Sequence, residues 1–210
     1  MADWADDIEN DLNWREAELA AFKITIASAG KKSVREKALL RALWILLYAH
    51  YEGFCKFAWD TYFDVLEQLS CPRSLLIDNI ASFSLNREFK ILRGNLSEDQ
   101  LWKFCTSDFI SLLCLPAIFK NRLETNSNLW PSLLKENCEK ICLNMKSVDE
   151  YNSRLKTLVS RRNDIAHGQR MVIKDIDEYI KYEHAVLVVM HELAVNIIDA
   201  IENKSYLKAI

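Results

Sequence analysis

Glycine and proline are scarce in this chain of 210 residues, which contains only four glycines and three prolines. A β-rich fold of this size needs turn-forming residues every few positions, so the scarcity argues against a sheet-based domain. Long helices need few such residues. The composition therefore predicts an all-α protein.

The chain also has few of the features of a membrane, secreted or metal-binding protein. Its longest apolar run, between Ala38 and Ala49, is interrupted by Arg41 and is too short to span a bilayer, and the acidic N-terminus lacks a signal peptide's basic start. None of the six cysteines forms a C-x-x-C pair. Cys138 and Cys142 are spaced by one helical turn, but no histidine lies nearby to complete a metal site. We expect reduced core thiols, no metal, no cofactor, no membrane contact and a cytoplasmic location.

A strongly basic character is missing as well, since the net charge is −3. This excludes the simplest type of nucleic-acid-binding domain, which is basic throughout. The charge is unevenly distributed, however: residues 154 to 174 carry six bases and a single acid, Asp164. A local basic pocket in an acidic protein fits a site that handles phosphate groups.

The apolar residues recur with helical spacing over most of the chain, which predicts one helical domain over residues 1–210. A first helix ends at Gly30, and a second begins at a Ser33–Glu36 capping box and continues toward Pro72, with Gly53 marking a kink or a close helix crossing. Later helices begin at Trp130-Pro131, at a second capping box of Ser147 and Glu150, and near Asp175.

The periodicity weakens between residues 72 and 128. We predict only short helices there, and interpret the segment as an insertion between core helices. The expected pieces are Ser84 to Leu92, Ser97 to Cys105 and Phe109 to Glu124.

Arg162 is the first residue with potential chemistry, because it continues the apolar helix face formed by Leu155, Leu158 and Val159. Long cations rarely face a core without a partner. Two explanations stay open: a structural arginine paired with an acid, such as Asp164 or one on the last helix, or an arginine that binds phosphate in a cleft.

His167 follows Asn163 by four residues, so the two side chains share one face near the end of the helix, which Gly168 is expected to stop. His167 is either a helix-end cap or a catalyst of proton transfer. Asn163 can orient the imidazole or a bound phosphate.

The string from Arg162 to His167, RNDIAH, resembles the motif of HEPN ribonucleases: arginine, a polar residue, three further residues, then histidine. It lies where that family places it, at the end of the penultimate core helix. The stretch from Leu47 to Lys56 resembles a second-helix motif of the MAE-type HEPN nucleases. Two segments in the right order are more specific than either alone. The resemblance covers most of the chain and is loose over residues 72–128.

The resemblance implies a HEPN-like helical bundle and a metal-independent endoribonuclease, often a toxin or antiphage effector, that leaves a 2′,3′-cyclic phosphate. His167 would transfer protons, Arg162 would hold the phosphoryl oxygens, and Asn163 would position His167 or the phosphate. The expected partners are RNA, a second copy of the chain, and a cognate antitoxin or immunity protein. The supporting candidates are Glu52, Lys56, Arg161 and Arg170.

Several alternatives stay open beside this hypothesis. Glu52 and Lys56 are spaced as an ordinary surface ion pair on a helix, whereas the resemblance places Glu52 beside the cleft. The protein as a whole could be a non-catalytic HEPN module that binds nucleotide or RNA ends, or a plain helical interaction protein. The complete motif favours the enzyme.

Geometry predicts a homodimer. Arg162 and His167 are five residues apart and therefore point about 140° away from each other on one helix. A second copy can bring the two residue types together, and we expect an interface that includes the stripe from Leu155 to Val159.

Overall fold

The first two helices form a hairpin that supplies much of the core. In a computed structural model, which describes residues 4–209, α1 spans Trp4–Ala27 and α2 spans Val34–Gln68. The ends of the predicted domain, residues 1–3 and 210, lie outside the described residues. The Ser33 hydroxyl accepts a hydrogen bond from the backbone N–H of Glu36 at 3.0 Å, which confirms the predicted start of α2. The inner face of α1 is buried, namely Ile8, Leu12, Arg15, Leu19 and Ile26.

Helix α2 lies at the centre of the fold, where it packs against α1, α9 (Asn152–Ala166) and α10 (Ile176–Glu202). The indole N–H of Trp44 on α2 donates to the carbonyl oxygen of Leu158 on α9 at 3.1 Å. No β-strand occurs within residues 4–209, so the all-α prediction is confirmed.

The stripe from Leu155 to Val159 is already used inside the single chain. Leu155, Leu158 and Val159 are completely buried in the hydrophobic core. The prediction that this stripe forms a dimer interface is therefore wrong, because these side chains have no surface left to offer a second copy.

Gly53 marks a close helix crossing within an unbroken α2. A Cβ atom at this position would lie 3.0 Å from Nη1 of Arg15 on α1. The missing side chain allows the buried Arg15 guanidinium to lie against the α2 backbone.

The segment 72–128 contains short helices, as predicted, followed by irregular backbone. Helix α6 ends at Cys114, so the helix predicted as far as Glu124 is wrong beyond that point. Leu115 takes an extended conformation because it precedes Pro116, whose ring disfavours a helical residue before it. The elements are a 3-10 turn (Arg73–Leu75), α3 (Asp78–Ser84), α4 (Asn86–Leu92), α5 (Glu98–Lys103), a π-helical turn (Phe104–Asp108) and α6 (Phe109–Cys114).

Two short helices, α7 (Pro131–Lys140) and α8 (Lys146–Glu150), lead into α9. The capping box predicted for Ser147 and Glu150 is wrong, because Ser147 lies inside α8. The carboxylate of Glu192 on α10 takes over the capping role, accepting the backbone N–H groups of Lys146 and Ser147 at 2.9 Å each.

Helix α10 begins where predicted, since Asp175 accepts from the N–H of Glu178 at 2.9 Å. By length and composition alone it could cross a membrane, with a mean hydropathy of 1.6 in its most apolar window, a feature that the sequence analysis missed. Half of that window is buried inside the fold, and core helices of soluble proteins have the same composition.

Candidate active site

The end of α9 is fixed by a glycine turn. Gly168 has a φ of +76°, and its N–H donates to Ile165 while the N–H of Gln169 donates to Asp164. These two bonds satisfy the last carbonyl groups of the helix. The predicted stop at Gly168 is confirmed, and His167 occupies the exposed capping position of α9.

Arg162 is half-buried, about one turn before the end of α9, and its partners are neutral. Its Nη1 donates to Oδ1 of Asn163 at 2.8 Å and to Oδ1 of Asn128 at 3.2 Å. The guanidinium carbon lies 4.4 Å above the ring of Tyr48. Within the described chain no carboxylate forms an ion pair with Arg162, so its positive charge is available to an anion.

Tyr48 supports both Arg162 and the loop beneath it. Its hydroxyl accepts the backbone N–H of Leu129 at 2.8 Å, which holds the loop that carries Asn128. Burial, with a smaller contribution from the Glu52 carboxylate, raises the pKa of Tyr48 to about 12, although the Leu129 N–H and the charge of Arg162 act in the opposite direction. The phenol therefore stays protonated near neutral pH and is no general base.

An open cleft of about 750 Å³ lies in front of Arg162. It brings Arg162 together with two of the supporting candidates, Glu52 and Lys56. Lys56 pairs with Asp60 at 3.4 Å, and no ion pair joins it to Glu52 anywhere in the described chain. The remaining lining residues are Gly53, Phe57, Asp60, Glu124, Thr125, Asn126 and Ser127.

Asn163 and His167 are not joined within the chain. The side-chain oxygen of Asn163 accepts from Arg162, and His167 is exposed at the end of α9 outside the lining of the cleft. Asn163 is thus placed to hold Arg162, and the imidazole does not converge with the guanidinium in a single copy.

Arg161 and Arg170 also lie away from the cleft. Arg161 forms an ion pair with Glu178 of α10 at 2.6 Å, and its guanidinium lies over Trp44 at 5.1 Å. Arg170 is exposed in the segment between α9 and α10. The structural pairing considered for Arg162, with an acid on the last helix, is therefore made by its neighbour Arg161.

Two residues that shape the site received no role from the sequence. Asn128, which accepts a hydrogen bond from Arg162, lies in an irregular loop far from Arg162 in the sequence. No sequence pattern links that loop to α9. Tyr48 belonged to the quoted second-helix stretch, where the aromatic ring on an amphipathic helix was indistinguishable from core.

The cysteines differ from the expected set of core thiols. Cys55 and Cys138 are buried, whereas Cys105, Cys114 and Cys142 are exposed. Cys142 follows the end of α7 with a φ of 59°, so it does not continue the helix that carries Cys138. Among residues 4–209, no group of three or more His, Cys, Asp or Glu side chains is arranged to hold a metal ion.

His50 lies on α2, and its side chain contacts α1 outside the cleft. Its Nε2 is 2.9 Å from a carboxylate oxygen of Glu18, and Nη1 of Arg15 lies 3.4 Å from its Nδ1. Burial and then the charge of Arg15 lower the pKa of His50, although Glu18 and the more distant Asp11 act in the opposite direction. The imidazole is therefore a neutral part of the core.

This burial predicts a pH dependence of stability. Below about pH 6.5, the unfolded chain binds a proton at His50 that the folded chain takes up only at lower pH, so the free energy of unfolding should fall as the solution is acidified. His50→Gln removes this contribution. Urea unfolding between about pH 7.5 and 5.5 should show a smaller decrease for His50→Gln than for wild type. His191→Gln, at an exposed histidine, is the control, and equal slopes in wild type and His50→Gln would contradict the assignment.

A family model described as HEPN_MAE_28990/-like HEPN matches residues 4–206 of the chain. No curated protein matches significantly. No solved structure matches significantly either.

Proposed function

Because the chain belongs to the MAE_28990-like HEPN family, we propose that it is a metal-independent endoribonuclease that uses Arg162, Asn163 and His167. The observation that carries the proposal is the unpaired guanidinium of Arg162 in an open cleft, held by Asn163 and Asn128. An arginine oriented by neutral partners keeps its full charge for a phosphoryl group. Its planar fork binds two phosphate oxygens at once.

The proposed reaction is an attack by the ribose 2′-oxygen on the adjacent phosphorus. A neutral His167 takes the 2′-hydroxyl proton as the bond from the 2′-oxygen to phosphorus forms. The bond from phosphorus to the 5′-oxygen breaks, that leaving oxygen takes a proton from a water molecule, and His167 releases the proton it took to solvent. Arg162 stabilises the negative charge that develops on the phosphoryl oxygens. The products are a 2′,3′-cyclic phosphate and a free 5′-hydroxyl.

Lys56 and Glu52 contribute at the edge of the cleft in this proposal. The exposed ammonium group of Lys56 exchanges its surface pairing with Asp60, at 3.4 Å, for the bound phosphate. Glu52 influences the site through Tyr48, on which the Arg162 guanidinium lies. The role of Arg161 is structural and that of Arg170 is limited to attraction of RNA from solution.

The proposal includes a cellular role as a toxin or antiphage effector in the cytoplasm, restrained by a cognate inhibitory protein. This part rests on the family, whose members often cut RNA. An inhibitor that covers the cleft in front of Arg162 would block access of the substrate without any change in the fold.

We expect the purified protein to cut single-stranded or loop RNA in the presence of a chelator. The cleft supplies an arginine, and its three acids, Glu52, Asp60 and Glu124, are not among any group of side chains in residues 4–209 that is arranged to hold a metal ion. Products should carry 2′,3′-cyclic phosphate ends. These ends are detectable by mass spectrometry, and by the change in electrophoretic mobility when acid treatment opens the cyclic phosphate. Cleavage that disappears with chelator and returns with Mg²⁺ would show that the metal-independent mechanism is wrong.

The alternative is a module that binds RNA or nucleotide without cutting it. One observation favours it, namely that His167 lies outside the Arg162 cleft within a single chain. The chelator experiment separates the two, since a pure binding module retains RNA and leaves it intact at any protein concentration.

A further inference from the structure

A second groove continues from the Arg162 cleft across the inserted segment. It has a volume of about 610 Å³ and shares Lys56, Glu124 and Asn126 with the cleft. Its walls come from α2, the short helices α3 and α4, the irregular backbone after α6, and α7. We call this feature the lysine groove, and its basic residues are Lys56, Lys90, Lys120, Arg122 and Lys140.

Two lysines give the lysine groove a net positive charge, because they outnumber Glu124, the one acid of its lining that has no ion pair within residues 4–209. Arg122 is neutralised by Asp64 at 2.7 Å, and Lys140 is paired with Glu136 at 2.8 Å. Lys90 and Lys120 are exposed, and neither forms an ion pair within residues 4–209. These two ammonium groups are therefore available to phosphates.

Aromatic and amide side chains accompany the lysines. Phe83 lines the groove, with its ring stacked 5.2 Å from that of Phe63, and Asn121 adds a hydrogen-bonding amide. Beyond Phe83 the groove meets a further depression lined by Phe89 and Arg93. Positive charge interleaved with aromatic surface is the usual arrangement for binding single-stranded nucleic acid, because bases stack on the rings while the backbone follows the charge.

The bases near the motif, between residues 154 and 174, should attract RNA less strongly than their number in the sequence suggests. Arg161 is neutralised by Glu178, and the guanidinium of Arg154 lies over Tyr151 at 5.4 Å. The cleft itself contains three acids beside its two bases, namely Glu52, Asp60 and Glu124 against Lys56 and Arg162. A neighbouring surface with unpaired lysines therefore adds positive charge that the cleft itself lacks.

We propose that the lysine groove binds the backbone of single-stranded RNA and leads the strand into the Arg162 cleft. The segment 72–128, together with α7, is then the substrate-binding arm of the enzyme. The nature of the ligand rests on the proposed function, whereas the groove itself rests on Lys90, Lys120 and the shared lining at Lys56.

The test is the double variant Lys90→Glu with Lys120→Glu. The probe is a fluorescein-labelled single-stranded 2′-O-methyl oligoribonucleotide, which lacks the attacking hydroxyl and cannot be cut. Fluorescence anisotropy from about 50 to 200 mM salt should show binding at least about tenfold weaker than wild type. The slope of log K against log salt should decrease by about 1.4, since each lost phosphate contact on a single strand contributes about 0.7.

The matched control is Lys31→Glu with Lys37→Glu, which makes the same change of charge at exposed lysines outside the groove. Lys37 lies on the order of 28 Å from Lys56 along α2, so the control should bind the probe as wild type does. Unmodified RNA is assayed for cleavage beside the binding measurement. The Lys90 and Lys120 variant should raise KM while kcat at saturation stays unchanged.

The outcomes separate the groove from the proposed chemistry. Weak binding by the groove variant alone supports the proposal even if wild type cuts no RNA, in which case the ribonuclease assignment fails. Equal binding by both double variants overturns the lysine groove, whether or not wild type cuts RNA. No binding by wild type, or preferential binding of a blunt duplex, overturns it as well.

Discussion

Arg162→Ala should lower kcat by at least about a hundredfold, because an arginine that stabilises developing phosphoryl charge acts most strongly in the transition state. The fold should tolerate the change. Arg162 is only half-buried, and its loss removes a ring contact with Tyr48 and two hydrogen bonds to neutral oxygens. We expect a cost of roughly 1 kcal/mol in the free energy of unfolding. Arg162→Lys keeps the charge but loses the planar fork, so it should recover only part of the rate.

The adjacent Arg161 provides a matched control for this prediction. Arg161→Ala removes the same charge one residue earlier, together with the Glu178 ion pair and the contact with Trp44. It should destabilise the protein by about 1 to 2 kcal/mol and leave kcat nearly unchanged. The two variants should therefore differ mainly in kcat, which falls only for Arg162→Ala, although Arg161→Ala is at least as destabilising. His167→Ala should match Arg162→Ala in lost cleavage and in lost growth inhibition during expression, with Asn163→Ala between these and wild type.

The measurements are single-turnover cleavage of a defined RNA and urea unfolding followed by circular dichroism. If Arg162→Ala unfolds the protein while Arg161→Ala is inactive but stable, the roles assigned to the two arginines are reversed. A fully active Asn163→Ala variant would remove that residue from the site.

The long helices were predictable because their sequence rules are local. The spacing of Ile8, Leu12 and Leu19, and the caps at Ser33 and Asp175, each involve residues within one or two turns. The helix predicted as far as Glu124 missed a local signal, Pro116, whereas the error at Ser147 arose because a distant residue decides the local structure. The backbone N–H of Ser147 is capped by Glu192 of α10 rather than by Glu150, and nothing near Ser147 in the chain specifies that choice.

The candidate site was likewise predictable from the sequence only in part. The position of Arg162 toward the packing surface, and the stop at Gly168, follow from helical spacing. The division of labour between Arg161 and Arg162 does not, because both are long cations on one helix. It depends on which side of α9 meets Glu178 and which meets Tyr48 and Asn128, and those residues come from three other parts of the chain.

The separation between Arg162 and His167 leads to the second large expected effect, the loss of activity in a monomer. Arg162 turns inward over Tyr48, whereas His167 is exposed at the end of α9. A two-fold contact places the same surface of each copy against the other, so the guanidinium of one chain can share a cleft with the imidazole of its partner. Since Leu155, Leu158 and Val159 are buried, such a contact must use the outward, polar side of α9 near Ser160 and His167.

Dilution of the enzyme through its dissociation range should therefore abolish cleavage per chain in step with the loss of dimer. Size is followed by mass photometry and cleavage is measured in the same buffer. Full activity per chain in a sample shown to be monomeric would contradict the shared site, even if the protein proves to be a ribonuclease.

Mixing two inactive variants gives an independent test of the same geometry. If each site combines Arg162 of one chain with His167 of the other, a dimer of one Arg162→Ala chain and one His167→Ala chain keeps one intact site. Half of the dimers in an equimolar, fully exchanged mixture are of this kind, so about a quarter of wild-type activity should return. Each variant alone, incubated and exchanged in the same way, is the control and should stay inactive. A mixture as inactive as its components would mean either that both residues act within one chain or that a single shared cleft needs all four side chains. The dilution experiment separates these two cases, because only the second also loses activity in the monomer.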